Sequence, residues 1–520
     1  MSASLLASAL LLHLAAAQSG FSELGQDLRP REHLGIELNG YLRLRGEALG
    51  NLDLDRGPTP SGRPLFPVPL ADPTAQTLTH GDMRLRTDLA IHAPGGSVAV
   101  KMRADVFDNL SLGSTPDGPP AFALGQRSPS QALSLKRVWG EALTPIGLLA
   151  AGRMGSQWGL GMLANGGDCP DCDGGDAADR IAFVTPIAGH VWAAAYDISA
   201  IGPQVPRAQG GRVIDVEPSA DVRTATFAVL RIRSNDALTR RRLAGKSTVE
   251  YGAYVSHRWQ NRDVPSAYLP TASPVPLGSG QVIARGYRAT ALDGWFRLTL
   301  PGLRLEAEAA VLVATIDQAS LLPGALFNQP VRSRQFGGAL VSETGAPEDR
   351  FGVGLDTGFA SGDPSPGFGA TLDPNAPAPR KGDLDGPQAT PPFDNRADNF
   401  RFHPDFRVDR ILFREIIGTV TDALYLRPHL RWRALDVGPG ALTASLAVIA
   451  SRAVFASSTP GGAAPLGVEL DPSLTWVSQD GFTATLDHAI LFPLSGLDNP
   501  SLGLPAKPAQ LLRLRLAYVF

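Results

Sequence analysis

Cysteine is almost missing from this 520-residue chain: Cys169 and Cys172 are too few for a disulfide-scaffolded domain. Charge is sparse too. Asp, Glu, Lys and Arg make up 19% of the residues and the formal net charge is −3, which gives no pointer to nucleic acid, and no nucleic-acid partner is expected. After residue 17 no apolar run approaches the roughly 20 residues a membrane helix needs, so a helical membrane protein is excluded. Catalytic signatures are lacking as well, with no Gly-x-Ser-x-Gly at a strand-to-helix turn, no His-Glu-x-x-His and no Walker A sequence. The nine His are scattered singly, and no enzyme is expected. What the chain has in quantity is 56 Gly and 44 Pro, the composition of an all-β protein with many turns.

The apolar stretch 5–14 is too short to span a bilayer, and Ala15-Ala16-Ala17 offers a small-residue cleavage site. Residues 1–17 therefore read as a signal peptide, residues 18–33 as a periplasmic N-terminal segment, and residues 34–520 as the folded body. Alternation of apolar and polar side chains recurs in about eighteen segments, each near the 9–11 residues of a membrane-crossing strand. In 34–44, Leu34, Ile36, Leu38, Leu42 and Leu44 alternate with Glu37, Asn39, Tyr41 and Arg43. The connections alternate between short and long. Those at 94–96, 187–189, 301–302 and 479–481 are tight, and each is flanked by longer linkers. The pattern predicts a transmembrane antiparallel up-and-down β-barrel with short periplasmic turns and long extracellular loops. One short-side link, 234–246, is longer than its counterparts and carries Arg240, Arg241 and Arg242.

Three features bear on function. In the segment 158–176, Cys169 and Cys172 are placed to close a small disulfide, and Asp168, Asp171, Asp173 and Asp176 present oxygen ligands suited to Ca²⁺; a solvated acidic loop is the competing reading. No other cofactor is expected. The loop 360–422 exceeds all others in length. Val408, Ile411, Leu412, Ile416, Ile417 and Val420 recur in it at helical spacing, predicting a short amphipathic helix that plugs or constricts the barrel mouth, or else packs on its rim. Third, turning each apolar set toward lipid places Arg43, Arg45, Arg84, Arg86, Arg103, Arg231, Arg233, Arg258, Arg297, Arg427, Arg431, Arg433, Arg513 and Arg515 in the bore. Fixed guanidinium charge lowers the energy of an anion in a narrow aqueous pore.

The final strand carries Leu512, Leu514, Leu516, Tyr518 and Phe520 on one face and Arg513 and Arg515 on the other. Tyr518-x-Phe520 resembles the C-terminal sorting signal of bacterial outer-membrane barrels, which implies insertion into outer-membrane lipid by the barrel-assembly machinery. With strand number, Arg-rich lumen and Gly-Arg-x-x-Ser-x-Trp-Gly at 152–159, the chain resembles the porin and alginate-export-like group. Through 158–176 and 402–422 it is similar to a δ-proteobacterial outer-membrane family of no assigned substrate. The resemblance implies a barrel in the Gram-negative outer membrane and names no solute; the Arg-rich bore points to passive passage of small or extended, anionic solutes. The alternative is a surface-display barrel whose extracellular loops bind a partner or matrix polymer.

Overall fold

The computed structural model describes residues 20–72, 74–113, 133–206, 213–264, 282–320, 326–345, 349–365, 367–369, 380, 382–384, 389 and 394–520. The signal-peptide expectation for residues 1–17 lies outside them. Eighteen strands form one closed antiparallel sheet: β1 (Gly35–Gly50), β2 (Thr77–His92), β3 (Val98–Ser111), β4 (Leu133–Thr144), β5 (Gly147–Gly155), β6 (Ala177–Ile187), β7 (His190–Ser199), β10 (Val222–Arg231), β11 (Thr248–Gln260), β12 (Tyr287–Leu300), β13 (Leu303–Ile316), β14 (Val331–Thr344), β15 (Phe351–Ala360), β16 (Ala423–Val437), β17 (Gly440–Ala453), β18 (Pro465–Ser478), β19 (Phe482–Pro493) and β20 (Ala509–Val519). Two further short strands, β8 (Gln204–Pro206) and β9 (Val213–Asp215), pair as a hairpin in the β7–β10 connection. Each barrel strand pairs with its neighbours in sequence, and β20 closes the cylinder on β1 with Glu47 opposite Arg513 and Arg45 opposite Arg515.

The exterior is hydrocarbon. Leu38, Leu42, Val100, Leu292, Phe336, Leu355, Leu430, Leu486, Leu512 and Leu514 are exposed, while the alternate residues of the same strands point inward. Closure pairs every central backbone group and removes the sheet edge, the condition under which strands cross a lipid bilayer. The chain is an outer-membrane-type barrel. Strand ends and the short and long connections fall close to where period-two reading and turn residues put them.

The seam gives Gly40 and the terminal Phe520 a shared steric role. Gly40 and Phe520 exchange backbone hydrogen bonds at 3.0 Å in each direction. A Cβ at Gly40 would lie 2.2 Å from the Arg86 carbonyl oxygen and 2.9 Å from the Phe520 ring, so only glycine admits both partners.

Sequence expectation and structure part in three places. The link after β10 holds a helix, α1 (Asn235–Leu243), with Ser234 accepting the Ala237 N–H as its N-cap. Among the described residues of the long loop only Leu412–Ile416 is helical, and it is a π-turn rather than an amphipathic helix over 408–420. The stripe predicted there is nonetheless buried throughout, because the segment is wedged inside the barrel. Finally, residues 20–28 do not sit outside on the periplasmic side: Phe21, Leu24 and Leu28 pack inside the wall against Leu148, Ala182, Ala193 and Ala228.

Candidate functional site: the lumen

Three segments enter the bore, and each is held by groups from the wall. The first is 156–176. Gly155 ends β5, and Trp158 turns inward, its Nε1 donating to Asp293 Oδ1 at 2.9 Å and its ring meeting Tyr254 edge-on at 4.8 Å. The ring lies over Gly252, where a Cβ would come within 3.0 Å of it. Backbone N–H groups of Met162 and Leu163 donate to the Glu308 carboxylate at 3.4 and 3.3 Å. The segment then crosses to the opposite wall, where a row of arginines receives it. Arg86 donates to the Gly167 carbonyl oxygen at 2.8 Å, Arg43 to that of Pro170 at 2.9 Å, and Arg84 to that of Cys172 at 2.6 Å.

Cys169 and Cys172 form a disulfide at the tip of this crossing. The aspartates beside it meet guanidinium groups rather than one another. Asp168 pairs with Arg137 at 3.1 Å and with Arg103, Asp171 with Arg515 at 2.9 Å, and Asp173 with Arg45 at 3.1 Å. Asp176 lies 3.6 Å from His403 Nε2. Among the described residues no group of three or more His, Cys, Asp or Glu side chains converges on one point. The residues offered as Ca²⁺ ligands are thus arranged as counter-charges. Burial would raise the Asp171 carboxyl, but the positive charges of Arg414, Arg515 and Arg513 outweigh it and hold the group well below the usual carboxylate range.

The second insert is formed by described residues of the long loop, chiefly 394–422. Its N–H groups at Arg410, Ile411 and Leu412 donate to the wall carboxylate of Glu469 at 2.9, 2.8 and 3.0 Å. Asp409 accepts the N–H of Phe413 at 2.9 Å and of Arg414 at 3.1 Å. These carboxylates take the N–H groups that a regular helix would leave unpartnered at its start, which fixes a single tight turn. Burial pushes the Asp409 carboxyl up to about 7. Ile411, Leu412, Phe413, Ile416 and Ile417 pack with Ala447, Ile449, Leu491 and Leu511 on the inner wall. The wall is thinned to receive them: at Gly337 a Cβ would lie 2.5 Å from the Phe400 ring.

The third insert is the N-terminal segment. Arg31 N–H donates to the Pro94 carbonyl oxygen at 2.9 Å at the short-turn end. From there the chain runs up the bore, with Gly25 N–H on Glu141 at 3.0 Å, Asp27 3.6 Å from Lys101, and Arg180 stacked 5.5 Å above the Phe21 ring.

The arginines expected in the bore fall into four groups. Arg43, Arg45, Arg84, Arg86, Arg103, Arg513 and Arg515 are on the inner face, engaged with wall and insert oxygens; Arg513 pairs with Glu47 and with Glu415 at 3.2 Å. Arg297, Arg427 and Arg431 also face inward, paired with Glu250 at 2.6 Å, Asp356 at 2.6 Å and Glu343 at 3.0 Å, and Arg433 reaches Asp436 at 2.7 Å near the short-turn rim. Arg258 faces inward, and among the described residues only the Thr224 hydroxyl accepts from it, at 3.2 Å. Arg231 and Arg233 are corrections. Arg231 lies on the exterior face with Phe227, and Arg233 is exposed beyond the strand end, because β10 turns Ala228 and Leu230 inward onto the N-terminal insert. Apolar residues facing inward invert the rule used to assign faces. Arg137, outside the expected set, also faces the bore and binds Asp168 and the Gly166 carbonyl oxygen; its alternation with Trp139 and Glu141 is the sequence signal for that orientation.

Two cavities flank the inserts. At the long-loop end a space of about 380 Å³ is bounded by Trp158, Arg180, Asp197, Tyr254 and Arg258, with Gly20 and Phe21 as part of its floor. At the short-turn end a space of about 480 Å³ is bounded by Glu37, Asp88, Lys101, Arg103 and Arg137, with Glu23 and Asp27 as part of its roof.

No family model and no curated protein matches this sequence. Among solved structures, the chain is similar to OpdK of Pseudomonas aeruginosa determined with vanillate, at 12% identity and a TM-score of 0.46, covering 93% of this chain and 98% of that one. OccK9 (OpdG) of the same organism gives 13% identity and 0.47, again with 93% and 98% covered. A BenF-like porin of Pseudomonas fluorescens gives 10% identity and 0.43, with the same coverage. Values this low transfer neither a solute nor a residue role.

Proposed function

We propose that the barrel is an outer-membrane channel for passive passage of small or extended anionic solutes. The observation that carries this reading is Arg258, a guanidinium group that faces the long-loop cavity with no carboxylate paired to it among the described residues. A fixed, incompletely neutralised cation on the wall of a narrow bore attracts negative solutes and repels positive ones. The other inward arginines serve a second purpose in this reading. Arg43, Arg45, Arg103, Arg513 and Arg515 hold 156–176 across the lumen through its aspartates, so the acidic loop acts as removable counter-charge.

Steric gating then rests on all three inserts. The N-terminal segment supplies floor to one cavity and roof to the other, and its withdrawal joins them into one path. Affinity with the alginate-export-like porins and with the δ-proteobacterial family belongs to the same reading and rests on the motif at 152–159 and the stretches 158–176 and 402–422. The short turns face the periplasm, and the closing strand, ending in Tyr518 and Phe520, is the element read by the assembly machinery. Partner binding by outside loops has less support, since 156–176 and much of 361–422 are turned inward.

Reversal potentials of the purified protein in planar bilayers under a salt gradient test the proposal. Anion preference is expected, reduced in Arg258→Glu. Cation preference of the unaltered protein refutes it.

A further inference from the structure

The exterior of the barrel carries a basic row that the channel reading does not use. Strand register places Arg223 of β10 opposite Trp259 of β11, Trp259 opposite Arg288 of β12, Arg288 opposite Thr315 of β13, and Thr315 opposite Arg332 of β14; Arg332 in turn bridges to Arg396. All five strand residues lie on the outward face near the long-loop end, and Arg334 stands one outward position below Arg332. Neighbouring strands are about 4.8 Å apart, so Arg288 and Arg332 are about 10 Å from each other. Arg396 pairs with Asp398. Among the described residues no carboxylate pairs with Arg288, Arg332 or Arg334. A cavity of about 400 Å³ opens between Pro330, Arg332, Arg334, Arg396 and Asp398, whose carboxylate accepts the Arg334 backbone N–H at 2.8 Å and offsets Arg396, leaving the Arg332 and Arg334 guanidinium groups as the net positive charge.

Four residues further along the same strands the exterior becomes hydrocarbon. Phe227, Val255, Leu292, Val311 and Phe336 form one register row, with Leu292 57% and Phe336 52% exposed, and Phe359 packs 5.1 Å from Phe336. With the strand rise and the tilt of barrel strands, the two rows are separated by about 10 Å along the membrane normal. That is the distance over which a lipid changes from headgroup to acyl chain, and Trp259 sits where interfacial aromatics belong.

We propose that this face is a binding site for a phosphate-bearing lipid headgroup of the outer leaflet. The guanidinium groups of Arg288, Arg332 and Arg334 donate to phosphate oxygens in the paired geometry that arginine favours, while the acyl chains lie on the Leu292, Val311 and Phe336 row. The occupant is a lipid rather than free phosphate because the cationic row is continuous with an apolar surface that an inorganic anion leaves uncovered.

The test uses full-length protein refolded in detergent, with Arg288→Gln, Arg332→Gln and Arg334→Gln combined. All three side chains are exposed, so the variant keeps its heat-modifiable gel mobility. Native mass spectrometry with bis-phosphorylated lipid A, its dephosphorylated form and phosphatidylcholine counts retained lipids. Retention of the phosphorylated lipid at least tenfold above the other two, falling by a comparable factor in the variant, supports the site. Equal retention of phosphorylated and dephosphorylated lipid overturns it, and so does unchanged retention by the variant. If inorganic phosphate at equal concentration displaces the phosphorylated lipid completely, the site is one for free anions and the lipid assignment fails.

Discussion

The Asp405 carboxylate accepts the backbone N–H of Asp173 through Oδ1 and that of Gly174 through Oδ2, both at 3.0 Å. One side chain from the longest loop thereby fixes the tip of the disulfide loop, and the two inserts close the bore as a unit. Arg407, 3.0 Å from Asp405 and 3.5 Å from Asp173, completes the contact.

Replacing Asp405 with Ala removes two hydrogen bonds to a buried charge and leaves Arg407 with less counter-charge. The cost is roughly 2–4 kcal/mol of loop docking, with the barrel itself unchanged. Limited proteolysis is expected to cut within 165–176 and 400–410 at least tenfold faster than in the unaltered protein, at the same heat-modifiable mobility.

The N-terminal insert and the disulfide loop respond oppositely to pH. Burial, reinforced by Asp168 and opposed by Lys101, Arg137 and Arg103, pushes the Glu23 carboxyl up to about 7. A docked pKa above the undocked one means that docking is strongest below the ordinary carboxylate value near 4.5 and is lost progressively as pH rises to about 7. Asp171, held low, stays ionised and keeps its loop docked until strongly acid pH. Hydrogen-exchange protection of residues 20–28, corrected for the intrinsic pH dependence of exchange, is expected to fall between about pH 4.5 and 7, while that of 166–175 stays constant; Glu23→Gln abolishes the difference.

Deletion of residues 20–28 removes the Phe21, Leu24 and Leu28 contacts and opens the long-loop cavity to the short-turn cavity. Single-channel conductance is expected to rise several-fold. Equal, non-zero conductance in both proteins shows that the segment is no partition.

Gly40→Val drives a side chain into the Arg86 carbonyl and the Phe520 ring at the seam. Overpacking typically costs about 1–3 kcal/mol, and here it falls on the step that closes the cylinder. A lower yield of the heat-modifiable form is expected, with a larger loss than for Gly46→Val, where a Cβ meets nothing within 4 Å.

The amino-acid sequence by itself determined the barrel. Side chains alternate with period two along a strand, so the pattern in 34–44 or 510–520 states both the element and its two faces, and turn residues state where strands reverse. It also marked the segments with unusual chemistry, Cys169 to Cys172 and the stripe from Val408 to Val420. What fills the bore was decided by tertiary structure alone. An aspartate in a loop reads the same whether it meets water, Ca²⁺ or an arginine more than a hundred residues away, and only closure of the sheet brings Asp171 to Arg515 and Asp173 to Arg45. The same holds for β10, whose inward Ala228 and Leu230 make sense only once Phe21 lies against that wall, leaving Arg231 outside. Period-two patterning records which residues share a face; which medium that face meets depends on everything the chain folds into the lumen.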